Sequence, residues 1–359
     1  MASTPPDLST EERADAQTIL ARLSRRGTEF LGSRYAIMGG AMSWLSERHL
    51  VSALSNAGGF GVIACGSMGP AQLDAEIGGT LALTGRPFGV NLITMHPQLS
   101  DLIEVCGRRR VSHVALAGGV PNAASIARLK ALGAKVLAFA PALAIAKRLV
   151  RAGVDALVIE GMEAGGHIGP VATGVLVQEI LPGIPDVPIF VAGGIGRGEA
   201  MAMYLGAGAA GVQMGTRFVC ATECIAHAAF KKAFLRASAR EAVPSVQLDA
   251  RFPVIPVRAV GNKGTDSFLE VQRDVIGRFS RGELAQNEAQ LAIEHFWAGA
   301  LRRAAIDGDV EFGSVMAGQS IGLVIREQSV PEIIAELVEQ AVMAIGVRRR
   351  VEAGATGGG

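Results

Sequence analysis

Short apolar segments recur along most of this chain, ending near Met38, Ile63, Asn91, Leu116, Ala138, Ile159, Val191 and Gln213. Strands buried on both faces of a parallel sheet read as such near-continuous apolar runs. Between them lie stretches with helical spacing of apolar residues, among them residues 72–83, 123–132, 142–152 and 198–205. Eight alternating units favour a closed (β/α)8 TIM barrel over an open doubly wound sheet, which usually has about five or six strands. The expected class is therefore α/β, and ligands of such a barrel bind at the C-terminal ends of its strands. The turns after the expected strands are where glycine and polar residues collect: Gly39-Gly40, Cys65-Gly-Ser67, Asn91, Gly118-Gly119, Gly165-Gly-His167, Gly193-Gly194 and Met214-Gly-Thr216.

The barrel rhythm leaves both ends of the chain over. Ser9-Thr-Glu-Glu12 has the form of a capping box opening an appended helix to about residue 25, with Ile19, Leu20 and Leu23 as its apolar stripe. After Ala221 the rhythm stops, and residues 225–298 read as a mostly helical insertion or lid. Within it, a polar stretch near residues 244–264 is interrupted by Pro and Gly, and Arg258, Asn262 and Lys263 could point into the site, although a solvated loop is the commoner reading of each. Closing helices are expected over residues 298–307 and 330–346. The expected division is an N-terminal extension (1–28), the barrel (29–224), the insertion (225–298), a closing segment (299–350) and a flexible Gly-rich tail (351–359).

Composition narrows the function classes. With 49% hydrophobic residues, 19% charged residues and 46 glycines among 359, the chain suits a buried parallel sheet with many tight turns. A formal net charge of +1 gives no electrostatic footprint for nucleic acid or an anionic membrane, and the triplets Arg108-Arg-Arg110 and Arg348-Arg-Arg350 are assigned no partner. The longest apolar run, residues 136–146, contains Pro141 and is far short of the roughly 20 residues that span a bilayer. The first residues carry acidic side chains at 7, 11, 12 and 15, unlike the basic start of an export signal, so a cytoplasmic location is expected. Cys65, Cys106, Cys220 and Cys224 show no zinc-type pairing and are expected as free thiols, with no metal site.

Two features point to chemistry. The loop Glu160-Gly-Met-Glu-Ala-Gly-Gly-His-Ile-Gly169 sets a lone histidine among glycines directly after an apolar strand. Glycine lets the chain approach a bound group, and His167 is a proton-transfer group that works near neutral pH. Glu163, four residues earlier, could raise the imidazole pKa or be solvated. The second feature is the pair of turns after the seventh and eighth strands, Val191-Ala-Gly-Gly-Ile-Gly196 and Val212-Gln-Met-Gly-Thr-Arg217. A barrel commonly holds phosphate there, and the backbone N–H groups of Gly193, Gly194, Gly215 and Thr216, with the Thr216 hydroxyl, could ligate it. His227 near Cys224 lacks the companions of a metal site and reads as a helix or packing residue. Trp44 and Trp297 could flank the mouth, although an indole wedged in a lid contact is the commoner use.

The ordered motifs Tyr35-Ala-Ile-Met-Gly-Gly-Ala-Met-Ser-Trp44, Asn56-Ala-Gly-Gly-Phe-Gly61, Arg86-Pro-Phe-Gly-Val-Asn91, Gly161-Met-Glu-Ala-Gly-Gly-His-Ile-Gly169, Val191-Ala-Gly-Gly194, Gln213-Met-Gly-Thr-Arg-Phe218 and Gly313-Ser-Val-Met-Ala-Gly-Gln319 carry a family resemblance. From about residue 26 to 340 the chain resembles the nitronate monooxygenase (2-nitropropane dioxygenase) superfamily of FMN-dependent barrels, which includes the flavin-dependent type II enoyl-ACP reductases. The resemblance implies FMN as cofactor. It implies that Gly40, Ala41, Met42 and Asn91 line the flavin ring, that Gly193, Gly194, Gly215 and Thr216 hold the phosphate, and that His167 faces substrate. Glu160, Gly166, Gln213 and Gln319 join the cofactor set, with Met316 and Gly318 closing over it. Gly39-Gly40-Ala41-Met42 departs from the family's usual Gln-Gly-Gly-Met and lacks the glutamine side chain.

Such a barrel can run two reactions on small molecules. In the first and favoured reading, an alkyl nitronate is oxidised with O2 to a carbonyl compound plus nitrite, and His167 deprotonates the nitroalkane or orients the anion. In the alternative, NAD(P)H reduces the flavin and an enoyl thioester is the acceptor. A flavin-binding barrel without turnover is a minor third reading. Met38, Met42, Leu92, Ile168 and Met316 are expected to line a partly apolar substrate pocket, and a homodimer is left open.

Overall fold

The computed structural model describes residues 7–356 apart from Ile255 and Ala298. Its strands in chain order are β1 (Ile37–Gly39), β2 (Val62–Ala64), β3 (Gly89–Ile93), β4 (His113–Ala117), β5 (Lys135–Phe139), β6 (Ala156–Glu160), β7 (Gly166–His167), β8 (Ile189–Ala192), β9 (Gly211–Met214), β10 (Ala242–Pro244) and β11 (Val257–Val260). Eight of them pair in parallel in the order β1-β9-β8-β6-β5-β4-β3-β2. The circle closes through a parallel bridge between Met38 and Phe60, where Gly39 N donates to Phe60 O at 2.8 Å and Phe60 N to Ile37 O at 2.9 Å. Helices surround this sheet, so the chain is a (β/α)8 barrel, as its spacing indicates. Each strand ends one or two residues beyond the end expected from the apolar runs.

Side chains alternate between two cores, because successive residues of a strand point to opposite faces. Ala156 and Val158 of β6 belong to the inner cluster with Met38, Val62, Leu137, Phe190 and Ala192, whereas Leu157, Ile159, Val212 and Met214 pack outward against the helices. The same alternation turns Glu160, Asn91 and Gln213 into the barrel at its C-terminal end. Leu92 departs from the expectation: as an outward residue between Asn91 and Ile93, it lies in the outer core and does not line a pocket.

The bottom is closed by the helix Thr10–Leu31, which extends well past residue 25. The capping box is present, with Glu12 N bound to Ser9 Oγ and Ser9 N to Glu12. Its last turn inserts Phe30 and Leu31 into the inner cluster. The His113 ring sits edge-on to Phe30 at 5.1 Å and to Phe60 at 4.9 Å, and its Nε2–H donates to Phe30 O at 2.8 Å. Burial pushes the His113 pKa down to about 4, so the ring is neutral in the folded protein.

The insertion is largely helical: Ala228–Arg236 packs into the main outer core through Phe230 and Phe234, whereas Lys263–Ser280 and Gln286–Phe296 enclose a small core of Phe252, Phe268, Val275, Ala289 and Ile293; after it, the closing helix Ala300–Ala305 returns to the main core through Ala304 and Ala305. The insertion also contains β10 and β11, which pair with each other antiparallel, and β11 pairs antiparallel with β7. Arg258, read from the sequence as a solvated loop residue, is a correction: it is buried in β11, at 2% exposure. Asn262 caps the helix Lys263–Ser280 by accepting from Thr265 N, and exposed Lys263 pairs with Glu311. The final helix Val330–Thr356 lies against the helix Gly198–Gly206 so closely that a Cβ on Gly198 would sit 1.9 Å from Leu337 O. Arg350 joins it to Glu12 of the first helix at 2.6 Å. This helix continues through residues 351–356 of the stretch expected as a tail, and residues 357–359 lie outside the described residues.

Phe30→Ala empties the plug between helix and barrel floor. An unfolding titration should show a loss of about 3–5 kcal/mol, the range for buried Phe→Ala changes. A loss under about 1 kcal/mol would mean that the first helix is not part of the barrel's core.

Candidate functional site at the C-terminal mouth of the barrel

The parallel register places Glu160 opposite Ala192, Ala192 opposite Gln213, and Gln213 opposite Met38. Paired residues in neighbouring strands face the same side, so two polar side chains flank small Ala192 at the mouth. Among the described residues neither the Glu160 carboxyl nor the Gln213 amide makes a hydrogen bond to protein. Burial, with no compensating cation, pushes the Glu160 pKa up to about 7. Across the barrel, Asn91 is buried and donates from Nδ2 to Ala115 O at 3.2 Å, which fixes its amide plane and leaves Oδ1 free to turn to the mouth.

The loop after β6 carries the histidine. Gly166 has φ +77°, open to glycine at little strain, and a Cβ on Gly165 would lie 2.5 Å from Gly318 N. His167 pairs with Val257 of β11, and Ile168 N donates to Pro256 O at 3.0 Å. The imidazole is exposed at the open mouth, yet the packed loops around it withdraw enough water to lower its pKa below the ordinary 6.5. Glu163 does not raise it. Its carboxylate instead accepts from Thr173 N at 2.9 Å and Thr173 Oγ1 at 2.8 Å, pinning the start of the loop to the next helix.

The two glycine turns meet the same mouth. Gly193 (φ +97°) and Gly194 (φ +71°) turn the chain sharply after β8, with a Cβ on Gly194 only 3.1 Å from Glu163 Cβ. After β9, Gly40 N donates to Met214 O at 2.8 Å, and a Cβ on Gly215 would come within 3.4 Å of Met42. The Gly40, Ala41, Met42 turn and the Gly215, Thr216 turn are thus neighbours. Beyond Gly215 the chain makes a single 3-10 turn, Thr216–Phe218. The segment of Met316, Gly318 and Gln319 crosses above: Gly318 N donates to Thr216 Oγ1 at 2.9 Å and Gln319 N to Glu163 O at 2.9 Å. Met316 Sδ stands over Gly166.

All the sequence-singled residues at strand ends therefore come to one end of the barrel. Three others do not join the site: His227 caps the helix Ala228–Arg236 by accepting from Ala229 N, Trp297 packs in the insertion's own core against Phe268 and Phe296, and Trp44 (φ +70°) faces Arg302. Sequence reasoning missed Thr173 and β11, and singled out Arg258 without its place in a buried strand. Val257-Arg-Ala-Val260 is four residues long and does not alternate strictly, so it carries no clear strand signal of its own.

A barrel with this mouth is shared by enzymes of the oxidoreductase kind, and comparison with known proteins specifies which. The profile of the nitronate monooxygenase family matches residues 24–107 and 100–340, and the chain belongs to that family. A dehydrogenase of Mycobacterium tuberculosis, named for (3aS,4S,5R,7aS)-5-hydroxy-7a-methyl-1-oxo-octahydro-1H-indene-4-carboxyl-CoA, is 31% identical over 348 residues, covering 89% of this chain and 97% of that protein. A probable nitronate monooxygenase of Staphylococcus aureus is 26% identical, covering 78% and 92%. The solved structure of FabK from Thermotoga maritima superposes with a TM-score of 0.82 at 35% identity, covering 91% and 98%. The chain is accordingly an oxidoreductase of the small-molecule type, and no helix among the described residues is long and apolar enough to cross a membrane.

The Glu160 carboxyl supplies a pH test on ligand-free protein. Its folded pKa lies above the unfolded value near 4.5, so burial destabilises the fold fully above pH 7, and the penalty fades as pH falls to 4.5. Glu160→Gln should be more stable than the parent by ~1–3 kcal/mol at pH 8, at about 1.4 kcal/mol per pKa unit, with the gap closing near pH 4.5. A gap independent of pH would show that Glu160 does not titrate from a desolvated position.

Proposed function

We propose that this protein is an FMN-dependent oxidoreductase that removes a proton and a pair of electrons from a carbon made acidic by its neighbour. Alkyl nitronate oxidation with O2 to a carbonyl compound plus nitrite is the first reading. The supporting observation is His167, an accessible imidazole whose pKa is lowered by desolvation, and hence a neutral base at physiological pH.

The residues at the mouth fit the cofactor. Two positive-φ glycines, Gly193 and Gly194, with Gly215 and Thr216, form close-approach turns suited to a phosphate monoester. The Asn91 and Gln213 amides, the Glu160 carboxyl and the backbone of Gly40, Ala41 and Met42 offer polar groups to a flat heteroaromatic ring, and among the described residues Glu160 and Gln213 have no hydrogen-bond partner to compete for it. Gly166 and Gln319 edge the same space. Bound FMN supplies the two-electron acceptor. His167 takes the proton from the nitroalkane carbon or orients the anion once formed, and Glu163 and Thr173 hold its loop.

A second reading rests on the 31% identical dehydrogenase, whose substrate name includes a carboxyl-CoA thioester. A thioester carbonyl also acidifies its α-carbon, so the same base and acceptor serve, and an NAD(P)H-linked enoyl thioester reduction runs the chemistry in reverse.

His167→Asn should keep bound FMN and its visible spectrum while kcat/KM on a neutral nitroalkane falls by about 10²–10⁴, the usual worth of a general base. For the parent, kcat/KM should fall as pH drops through the His167 pKa, which lies below 6.5, because protonation removes the base. Unchanged turnover in His167→Asn, with the acid limb intact, would remove His167 from the reaction.

A further inference from the structure

The insertion is joined to the mouth by backbone pairing. One strand of it, β11, is hydrogen-bonded on one side to the histidine's own strand β7 and on the other to β10. It also meets the segment that crosses the site: Val260 N donates to Val315 O at 2.9 Å, Ala317 N to Arg258 O at 3.3 Å, and Ala259 bridges Met316. At the centre lies Arg258, paired with Gly166, the residue before His167. Its guanidinium is buried and donates from Nε to Met162 O at 2.9 Å and from Nη1 to Ala242 O at 2.5 Å.

A buried cation held by main-chain carbonyls is an expensive way to fill space. Removing a guanidinium from water costs several kcal/mol after relaxation, and an apolar side chain of similar volume often stabilises a fold as well or better. Among the described residues Arg258 makes no ion pair, and Glu163, the carboxylate whose charge acts on it, is engaged by Thr173. What arginine offers is a rigid planar fork that fixes two carbonyls relative to each other. One belongs to the loop that carries His167, the other to the insertion.

We propose that Arg258 is a positioning residue for His167, clamping the histidine loop to the insertion so that the imidazole and the insertion move as one unit. Its guanidinium is engaged by the two main-chain carbonyls, and it acts through the loop they fix. Its effect on turnover rests on the reading of His167 as the base, but its effect on the imidazole's surroundings does not.

The test uses FMN-loaded full-length protein and three variants. The charged groups facing the His167 loop are Arg258 from β11 and Glu163 from the loop itself, so Arg258→Lys keeps the local charge while losing the fork, and Arg258→Met loses both. In ring-proton NMR spectra, with the His167 signal assigned by His167→Asn, both Arg258 variants should titrate higher than the parent, toward the ordinary value near 6.5, as the loop loosens and hydrates. Arg258→Met should lose on the order of 10²-fold in kcat, as for a misplaced catalytic group, with KM nearly unchanged and Arg258→Lys between it and the parent. Folded variants with the parent's His167 titration would overturn the proposal. Should neither variant fold, hydrogen exchange on the parent decides: the Ile168 and Val260 amides should open with the same free energy, and an Ile168 amide that exchanges independently of Val260 overturns the clamp. If the titration moves while His167→Asn keeps full turnover, the clamp stands and the base assignment falls.

Discussion

The register of β6, β8, β9 and β1 is the constraint on which the site depends. Side chains alternate along a strand, so a slip of one residue would turn Glu160 and Gln213 outward into the helix layer and bring Ile159 and Met214 into the mouth. The register holds because both faces are buried: Ala156 and Val158 fill the interior while Leu157 and Ile159 pack against helices. Small Ala192 between the two polar side chains leaves them room to meet a ligand rather than each other.

A second layer is laid over this row by chain segments far apart in sequence. The loop after β6, strand β11 of the insertion and the Gly318 segment are joined by backbone hydrogen bonds and by glycines that allow close approach. Gly165 has no room for a Cβ beside Gly318. A backbone-held histidine loop loses little entropy when substrate arrives, and pre-organisation of this kind separates a catalytic group from an incidental side chain.

The barrel was legible because its strands are buried on both sides and read as apolar runs that end within two residues of those observed. The strand-end turns were legible because glycine clusters mark backbone conformations few other residues adopt, as at Gly166, Gly193 and Gly194. The insertion was legible only in its helices. β11 has four residues and an arginine at its centre, a pattern that single-sequence reading assigns to a loop, and its burial depends on partners about 90 residues earlier. The desolvation of His167 was equally hidden, because Glu163, the one neighbour visible in sequence, turns to Thr173 instead.

The most direct test of the central claim is to mix FMN-loaded protein anaerobically with an alkyl nitronate, and separately with NADH or NADPH, and follow the visible flavin band. Nitronate alone should bleach it, with colour returning and nitrite appearing when O2 is admitted. A band untouched by nitronate but bleached by the nicotinamide would contradict nitronate oxidation as the protein's reaction.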